Sequence, residues 1–225
     1  MGFEDRAAGW LAWARTPGHD AYWTYRDAFF ALVPAPGSAT LEVGCGEGRV
    51  ARDLVARGHR VTGLDASPTL LSAAAQADPA SRYLVGRAEA LPFEDGAFDL
   101  VVAYNSLMDV ADMPAAVGEA ARVLAPGGRL CACITHPLPD AGSWRDDEVF
   151  AVTEPYLDER WLSATLERNG LEFTFEGPCF PLEAYAGALE AAGLVIEAIR
   201  EPADPAGGRW ARIPMFLMWR AVKAH

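Results

Sequence analysis

The sequence lacks a long apolar run, and it is poor in basic residues. No stretch approaches the roughly 20 residues that a membrane-spanning helix needs. Lysine and arginine number 19 against 31 aspartates and glutamates, which gives a formal net charge of −12. Nucleic-acid backbones and anionic lipid surfaces are bound through basic patches, so this balance argues against both as partners. The first residues carry neither a basic region nor an apolar run, and a cytoplasmic protein is therefore expected.

Cysteine is also scarce, because the chain has only four. Four cysteines are too few to predict a disulfide framework. Cys131 and Cys133 form a CxC pair inside a predicted buried strand, and no histidine or cysteine stands near them at the spacing of a zinc site. No metal site is therefore expected. With 51% hydrophobic and 22% charged residues, the 225-residue chain has the composition of one compact globular domain.

Short apolar runs alternate with helical patterns between residues 39 and 136. This alternation is typical of stacked strand-helix-strand units and a mainly parallel sheet. Two more strands follow near the C-terminus, separated by too few residues for a parallel crossover, so the last strand is expected to be antiparallel. We predict an α/β three-layer sandwich around a seven-stranded, mostly parallel sheet. The predicted strands are 40–43, 59–65, 82–86, 98–104, 129–135, 194–199 and 213–222, and the predicted helices are 50–57, 68–77, 112–124 and 182–192.

Aromatic residues are unevenly distributed along this single domain. Residues 39–136, the predicted cofactor-binding core, hold only 4 of the 23, whereas residues 1–38 alone hold 8. We interpret residues 1–38 as a helical N-terminal lid, 137–181 as a substrate-side insertion and 182–225 as a C-terminal helix and strand pair. The aromatics either close over a substrate or simply pack helices onto the sheet.

A glycine-rich turn follows the first predicted strand, with the order Glu42-Val43-Gly44-Cys45-Gly46-Glu47-Gly48-Arg49. Such a turn lets the backbone approach a ligand closely and directs helix N–H groups at it. Dinucleotide-binding loops have GxGxxG spacing, but here an arginine stands at the third glycine position. Glu42 and Glu47 add negative charge, which would repel a pyrophosphate. The loop therefore favours a ligand without phosphate.

Together with the motifs that follow it, this turn resembles the class I S-adenosylmethionine-dependent methyltransferases. The resemblance is to the small-molecule branch related to the quinone-biosynthesis enzymes. It implies a Rossmann-like fold, S-adenosylmethionine as cofactor and transfer of a methyl group to an O, N or C atom of a small-molecule acceptor. The motifs that carry it are 41–48, 63–68, 88–93, 98–105, 122–128 and 181–194.

The resemblance also implies which residues hold the cofactor. Asp65 follows Gly44 by 21 residues and matches the acid that holds the ribose hydroxyls. Arg87 stands where many relatives place an acid that reaches the adenine, which leaves Ala88 and Glu89 as the expected adenine contacts. The full expected set is Glu42, Gly44, Cys45, Gly46, Gly48, Asp65, Ala66, Ala88, Glu89 and Asn105.

Candidates for acceptor chemistry come from residues near the carboxyl ends of the strands, where open α/β sheets bind ligands. His136 directly follows the fifth strand and is the candidate catalytic base; alternatively, it holds the insertion in place. Tyr22, Tyr25 and Asp109 are candidate contacts to the acceptor.

Two other functions fit parts of the sequence. A nicotinamide-dependent oxidoreductase would use a similar turn, although the GxGxG spacing and Glu47 argue against it. A protein that binds the cofactor without transferring its methyl group would share every motif, since methyl transfer needs no obligatory catalytic residue. The composition favours an apolar or weakly cationic acceptor and leaves the oligomeric state open.

Overall fold

A computed structural model describes residues 3–146 and 148–224. Its centre is a seven-stranded sheet with the order β10-β11-β5-β4-β1-β2-β3. The strands β1 to β5 are mutually parallel, and β11 is antiparallel to both of its neighbours, β5 and β10. The predicted sheet and its antiparallel last strand are therefore confirmed. The strands are β1 (Thr40–Val43), β2 (Val61–Asp65), β3 (Arg82–Val85), β4 (Phe98–Tyr104), β5 (Leu124–Thr135), β10 (Leu194–Arg200) and β11 (Phe216–Lys223).

Helices cover both faces of the sheet. An apolar layer on one face packs against α5 and α7, and a second layer on the other face packs against α2 and α3. Most residues of β4, β5 and β11 are buried, as expected for a sheet covered on both sides. The helices of this sandwich are α2 (Tyr22–Phe30), α3 (Arg49–Ala56), α4 (Pro68–Ala77), α5 (Met113–Val123) and α7 (Leu182–Ala191).

The order of the strands creates the crevice in which the functional site lies. The chain leaves β1 toward β2 and β3 on one side, and returns to β4 and β5 on the other. Open α/β sheets bind ligands where the strand order reverses in this way, outside the carboxyl ends of the strands. The ends of β1 and β4 are neighbours here, so the residues after them face one another.

Among the element boundaries that differ from the predictions, two do so by three residues or more and have identifiable reasons. β5 begins at Leu124 instead of residue 129, because the Pro-Gly-Gly segment forms an irregularity within the strand: Gly127 has a φ of 76°, and the register beside β4 shifts there. β11 begins at Phe216 instead of residue 213. Pro214 is therefore outside the strand, which suits a residue with no N–H to donate to a ladder.

The segments outside the sandwich have different architectures. The N-terminal segment is helical, as predicted, with a 3-10 turn (Phe3–Arg6) and α1 (Ala7–Arg15) before α2. The insertion after β5 forms a short helix, α6 (Pro137–Asp140), and two β-hairpins, which the sequence analysis did not predict. The hairpins are β6 (Gly142–Trp144) with β7 (Phe150–Val152), and β8 (Arg160–Arg168) with β9 (Leu171–Cys179).

The four cysteines are free and buried in this structure. Cys131 and Cys133 both lie in β5 and contribute to the apolar layer beneath α2 and α3. Within residues 3–146 and 148–224, no group of three or more metal-ligating side chains comes together. None of the described helices is both long and apolar enough to cross a membrane.

Candidate functional site

The glycine-rich loop joins β1 to α3 at the crevice. Gly44, Gly46 and Gly48 have φ angles of 70°, 54° and 81°, a region that residues with a side chain rarely adopt. A Cβ atom on Gly44 would overlap the side chain of Ser106, which follows β4. Ser106 in turn donates a hydrogen bond from Oγ to the carbonyl of Val43, 2.7 Å away. The loop is thus packed tightly onto the end of β4.

Asp65 connects this loop to the helix on its other side. The carboxylate accepts a hydrogen bond from the backbone N–H of Gly46 at 2.8 Å and another from that of Ser67, also at 2.8 Å. Burial raises the pKa of Asp65, and the backbone donors partly oppose that rise. A carboxylate can accept about four hydrogen bonds, so Asp65 keeps capacity for the hydroxyls of a ligand. Ala66 is exposed beside it.

Glu42 lies beneath the loop, in β1, and is only 2% exposed. Burial raises its pKa well above the ordinary range, and the neighbouring charge of Asp65 raises it further. Among the described residues, nothing donates a hydrogen bond to its Oε2 atom. A buried carboxyl group with an unsatisfied oxygen is suited to a cationic group in the crevice above it.

The structure corrects the interpretation of Glu47. Its carboxylate is 2% exposed and is bound by Arg52 through Nη2 at 3.0 and 2.9 Å, and by Arg15 at 3.1 Å. This charge is neutralised within the protein, so it does not repel a phosphate as the sequence analysis supposed. Arg49, at the third dinucleotide glycine position, forms an ion pair with Asp20 at 3.1 Å.

The loop expected at the adenine lies between β3 and β4. Ala88 is buried, and Glu89 forms an ion pair with Arg87 at 3.0 Å. Arg122 of α5 holds the loop by donating to the carbonyls of Leu91 and Phe93, at 3.0 and 2.8 Å. Arg122 therefore holds this loop in place. The carboxylate of Glu89 is already paired with the guanidinium of Arg87.

Asn105 directly follows β4 and has an unusual backbone conformation. Its φ angle is 49°, which is rare for a residue other than glycine, and its backbone N–H donates to the carbonyl of Cys133 at 2.7 Å. Its Oδ1 atom is buried and accepts no hydrogen bond from the described residues. Strained residues of this kind cluster at ligand sites, which agrees with the expectation that Asn105 contacts the cofactor.

Residues 3–15, here called the N-terminal strap, cross the glycine loop. Glu4 accepts hydrogen bonds from the hydroxyls of Ser67 and Thr69 at the start of α4. At the other end, Arg15 bonds to Glu47 of the loop and to the carbonyl of Ala73. Both ends of the strap are therefore attached to elements that flank Asp65.

The middle of the strap contributes Trp10. A Cβ atom built on Gly46 would lie 3.8 Å from the indole nitrogen of Trp10. The Trp10 ring also lies 5.4 Å from Phe173 and 6.3 Å from Phe175, both in β9. Sequence analysis missed Trp10 as an individual site residue, although the aromatic richness of residues 1–38 had pointed to a cover.

Arg6 attaches the strap to β9 as well. Its guanidinium donates to the carbonyl of Thr174 at 2.9 Å and lies 3.6 Å from the carboxylate of Glu176. The strap and the β8-β9 hairpin thus form one cover over the carboxyl ends of β1, β2 and β4. This arrangement assigns the aromatics near residue 10 and residue 173 to the cover.

Tyr22 and Tyr25, the other expected acceptor contacts, lie outside this cover. They are 1% and 2% exposed. Tyr22 donates to Asp53 of α3 at 2.5 Å, and the Tyr25 ring packs edge-on against Phe216 of β11. Both side chains pack α2 onto the sheet, which is the structural alternative that the sequence analysis had weighed for these aromatics.

His136 begins α6 and uses both ring nitrogens for contacts within the protein. Its Nδ1 accepts from the backbone N–H of Leu138 at 3.1 Å, and its Nε2 lies 2.9 Å from Glu201. An Nδ1 atom that accepts leaves the proton on Nε2, facing the carboxylate of Glu201. No lone pair remains for an acceptor, so the geometry favours the alternative in which His136 holds the insertion.

Asp109 lies in the loop after β4 and is accessible to solvent. Desolvation raises its pKa to about 7, although part of the side chain keeps contact with solvent. Of the three expected acceptor contacts, it alone faces the covered crevice. The structure therefore brings together the glycine loop, Asp65, Asn105 and Asp109, whereas the side chains of His136, Tyr22 and Tyr25 contact other elements of the protein.

Comparison with known proteins agrees with this geometry. A family described as "Methyltransferase domain" matches residues 41–132. A demethylmenaquinone methyltransferase of Thermus thermophilus is 39% identical over 133 residues, which cover 56% of this chain and 60% of that protein. A malonyl-[acyl-carrier protein] O-methyltransferase of Serratia marcescens is 41% identical over 93 residues, covering 41% of this chain and 36% of that protein. The chain thus matches between about a third and 60% of the length of these curated relatives.

Among solved structures, an S-adenosylmethionine-dependent methyltransferase from Mesorhizobium loti has a TM-score of 0.74 at 24% identity. The alignment covers 90% of this chain and 98% of that one, so the two proteins share the fold. The family match spans the glycine loop, Asp65, Asn105 and Asp109. Residues 41–132 therefore match a methyltransferase domain, and the chain as a whole has the fold of a solved S-adenosylmethionine-dependent methyltransferase.

Proposed function

We propose that the protein transfers a methyl group from S-adenosylmethionine to a small-molecule acceptor. The observation that carries this proposal is the hydrogen bond between Asp65 and the backbone of Gly46. It joins an acid at the end of β2 to the glycine loop after β1. If a nucleoside lies across the ends of these two strands, its ribose contacts Asp65. The group attached to the ribose then contacts the glycine loop.

The residues of the crevice fit this cofactor chemically. Asp65 has remaining acceptor capacity for a ribose diol, and the glycine loop lies directly beside it. Glu42 is a buried acid with an unsatisfied oxygen, which suits a cofactor that carries an ammonium and a sulfonium. Asn105 offers an unsatisfied amide oxygen on the β4 side. When bound, the cofactor supplies an electrophilic methyl group.

The protein's own contribution is mainly geometric. Holding two reactants in line can lower a barrier by about 7 to 11 kcal/mol. The tight packing of Gly44 on Ser106 and the anchoring of residues 91–93 by Arg122 provide such rigidity on both sides of the crevice. The strap and the β8-β9 hairpin exclude water from above. We propose that the acceptor binds on the side of the crevice that residues 137–181 form.

A small-molecule acceptor agrees with the matched relatives, whose names include a demethylmenaquinone methyltransferase. The nicotinamide alternative gains no support from the structure. The position where the third dinucleotide glycine would allow close packing carries Arg49, whose guanidinium lies 5.2 Å from the ring centre of Trp10. Arg49, which replaces the third glycine of the dinucleotide pattern, thus contacts Trp10 of the cover.

Calorimetric titration tests the proposal. We expect S-adenosylmethionine and S-adenosylhomocysteine to bind with one site per chain, and NAD not to bind. Binding of NAD alone would overturn the proposal. Incubation with a panel of small phenols, amines and carboxylic acids, scored by release of S-adenosylhomocysteine, separates an enzyme from a protein that only binds the cofactor.

A further inference from the structure

Asp109 occupies a distinctive position under the β8-β9 hairpin. Its backbone N–H donates to the carbonyl of Ser106 at 3.0 Å, which fixes the turn after β4. Gly177 of β9 passes directly over it: a Cβ atom there would lie 3.4 Å from Oδ1 of Asp109. The lack of a side chain at Gly177 leaves the carboxylate accessible within the crevice.

The hydrogen bonding of Asp109 differs from that of the other acids nearby. Asp65 is held by two backbone N–H groups, and Asp140 accepts from the hydroxyl of Thr135 at 3.2 Å. Glu176 lies against the guanidinium of Arg6. Within the part of the chain that the structure describes, no donor bonds to the carboxylate of Asp109. It is the acid of this group whose oxygens remain available to a ligand.

The charges that act on Asp109 come from three elements around the crevice. Arg6 of the strap favours its ionised form, whereas Asp65 at the end of β2 and Asp140 of α6 oppose it. Tyr185 of α7 is also close enough for Asp109 to influence its pKa. Two acids and one arginine leave the surroundings of Asp109 with excess negative charge, which attracts a proton or a cation.

We propose that Asp109 accepts the proton of the attacking atom of the acceptor, so that the acceptor is a hydroxyl compound or a protonated amine. This inference rests on the proposed methyl transfer and narrows its substrate class. An acceptor that is already an anion, such as a carboxylate, needs no such base and would be repelled by Asp109. A positioned base contributes about 10²- to 10⁴-fold to a rate.

The proposed step balances in atoms and charge. The acceptor oxygen or nitrogen forms a bond to the methyl carbon, and the bond from that carbon to sulfur breaks with its electron pair remaining on sulfur. The proton leaves the acceptor atom for an oxygen of Asp109. The positive charge on sulfur and the negative charge on the carboxylate disappear together.

The pH dependence has a definite sign. Desolvation raises the pKa of Asp109 to about 7, so the base is available above that pH and is lost below it. The raised value also means that the ionised group opposes folding at higher pH. Asp109→Asn is therefore expected to unfold at pH 8 no more easily than the unchanged protein, which makes it a usable test variant.

Binding of sinefungin tests the proposal without a known acceptor. In this cofactor analogue, a carbon that bears an amine replaces the methylated sulfur of S-adenosylmethionine. The amine therefore stands in place of the methyl group. We expect the ratio of sinefungin to S-adenosylhomocysteine affinity to rise about tenfold between pH 5.5 and pH 8, as expected for a hydrogen bond to a charged group. Asp109→Asn should abolish that rise while its affinity for S-adenosylhomocysteine stays within about twofold of the unchanged protein.

Asp27→Asn provides the matched control, because the side chain of Asp27 is 84% exposed on α2, outside both the strap and the β8-β9 hairpin. This variant should retain the pH-dependent preference. The proposal is overturned if Asp109→Asn shows the same rise in the ratio, or if carboxylic acids are the acceptors that turn over in the panel. If neither ligand binds the unchanged protein, the cofactor assignment itself fails, and that result is distinct from either of these.

Discussion

The floor of the crevice and its cover are built in contrasting ways. The floor consists of loops at the ends of β1, β2 and β4, held by backbone contacts such as that from Gly46 to Asp65. The cover consists of the strap and the β8-β9 hairpin, held by side chains such as Trp10, Arg6 and Phe173. The floor therefore depends on backbone conformation, and the cover depends on contacts between side chains.

This difference assigns separate tasks to the two parts. A floor made of positive-φ glycines and paired backbone groups keeps its shape with or without a ligand. A cover held by aromatic contacts is weaker, since an aromatic pair contributes about 0.5 to 1.5 kcal/mol beyond its burial. Substitutions in the floor should therefore damage stability and binding, whereas those in the cover should change the rates of ligand exchange.

The largest effect is expected at Gly44. Gly44→Ala forces a side chain into a left-handed conformation and into Ser106, which should cost about 2 to 5 kcal/mol of unfolding free energy. Gly46→Ala carries only the backbone cost, about 1 to 2 kcal/mol, because its Cβ would meet nothing closer than 3.8 Å. Urea unfolding of the two variants measures the difference. Equal losses would show that the loop is not packed on β4 as described.

Asp65→Ala should have the next largest effect, on binding. Loss of a carboxylate that pairs with two hydroxyls is expected to weaken S-adenosylhomocysteine by about 1.5 to 3 kcal/mol. Calorimetry gives the affinity, and circular dichroism checks the fold. Asp78→Ala, on the far end of α4 from Asp65, serves as the control. An affinity that stays the same in Asp65→Ala would remove this residue from the site.

Trp10→Ala tests the cover. Removal of the indole should detach the strap from Phe173 and speed release of S-adenosylhomocysteine about tenfold, a change of about 1.4 kcal/mol in the barrier. Stopped-flow displacement measures that rate. Trp161, on the outer face of the hairpin, is 70% exposed, and Trp161→Ala should release the ligand at the normal rate. Identical rates in both variants would mean that the strap does not gate exchange.

The floor was largely predictable from sequence, and the cover was not. The glycine loop and the Asp65 position follow from local spacing, because a strand, turn and helix are specified within about 30 residues of chain. The partnership of Trp10 with Phe173 joins residues far apart in sequence, and no local pattern encodes it. The contact of His136 with Glu201 likewise joins distant segments, and so does the contact of Arg15 with Glu47.

His136 lies in neither the floor nor the cover. Its substitution is expected to have the smallest effect on stability among these variants. The ring accepts from the N–H of Leu138 at the start of α6 and lies against Glu201, so it connects the insertion to the loop after β10. His136→Ala removes a helix cap, which typically costs about 1 kcal/mol of stability. His136→Asn keeps a short side chain able to cap the helix and should recover most of that loss.

The kinetic expectation for these variants separates capping from catalysis. If His136 only holds α6, the saturated rate of methylation of any panel acceptor should stay within about threefold in His136→Ala, because no proton transfer is lost. A catalytic base would instead lower that rate about 10²-fold or more, and asparagine would not restore it. Thermal unfolding and saturated rates of both variants decide between these outcomes. A large loss of rate without loss of stability would identify His136 as the catalytic base. Asp109 would then bind the acceptor without taking its proton.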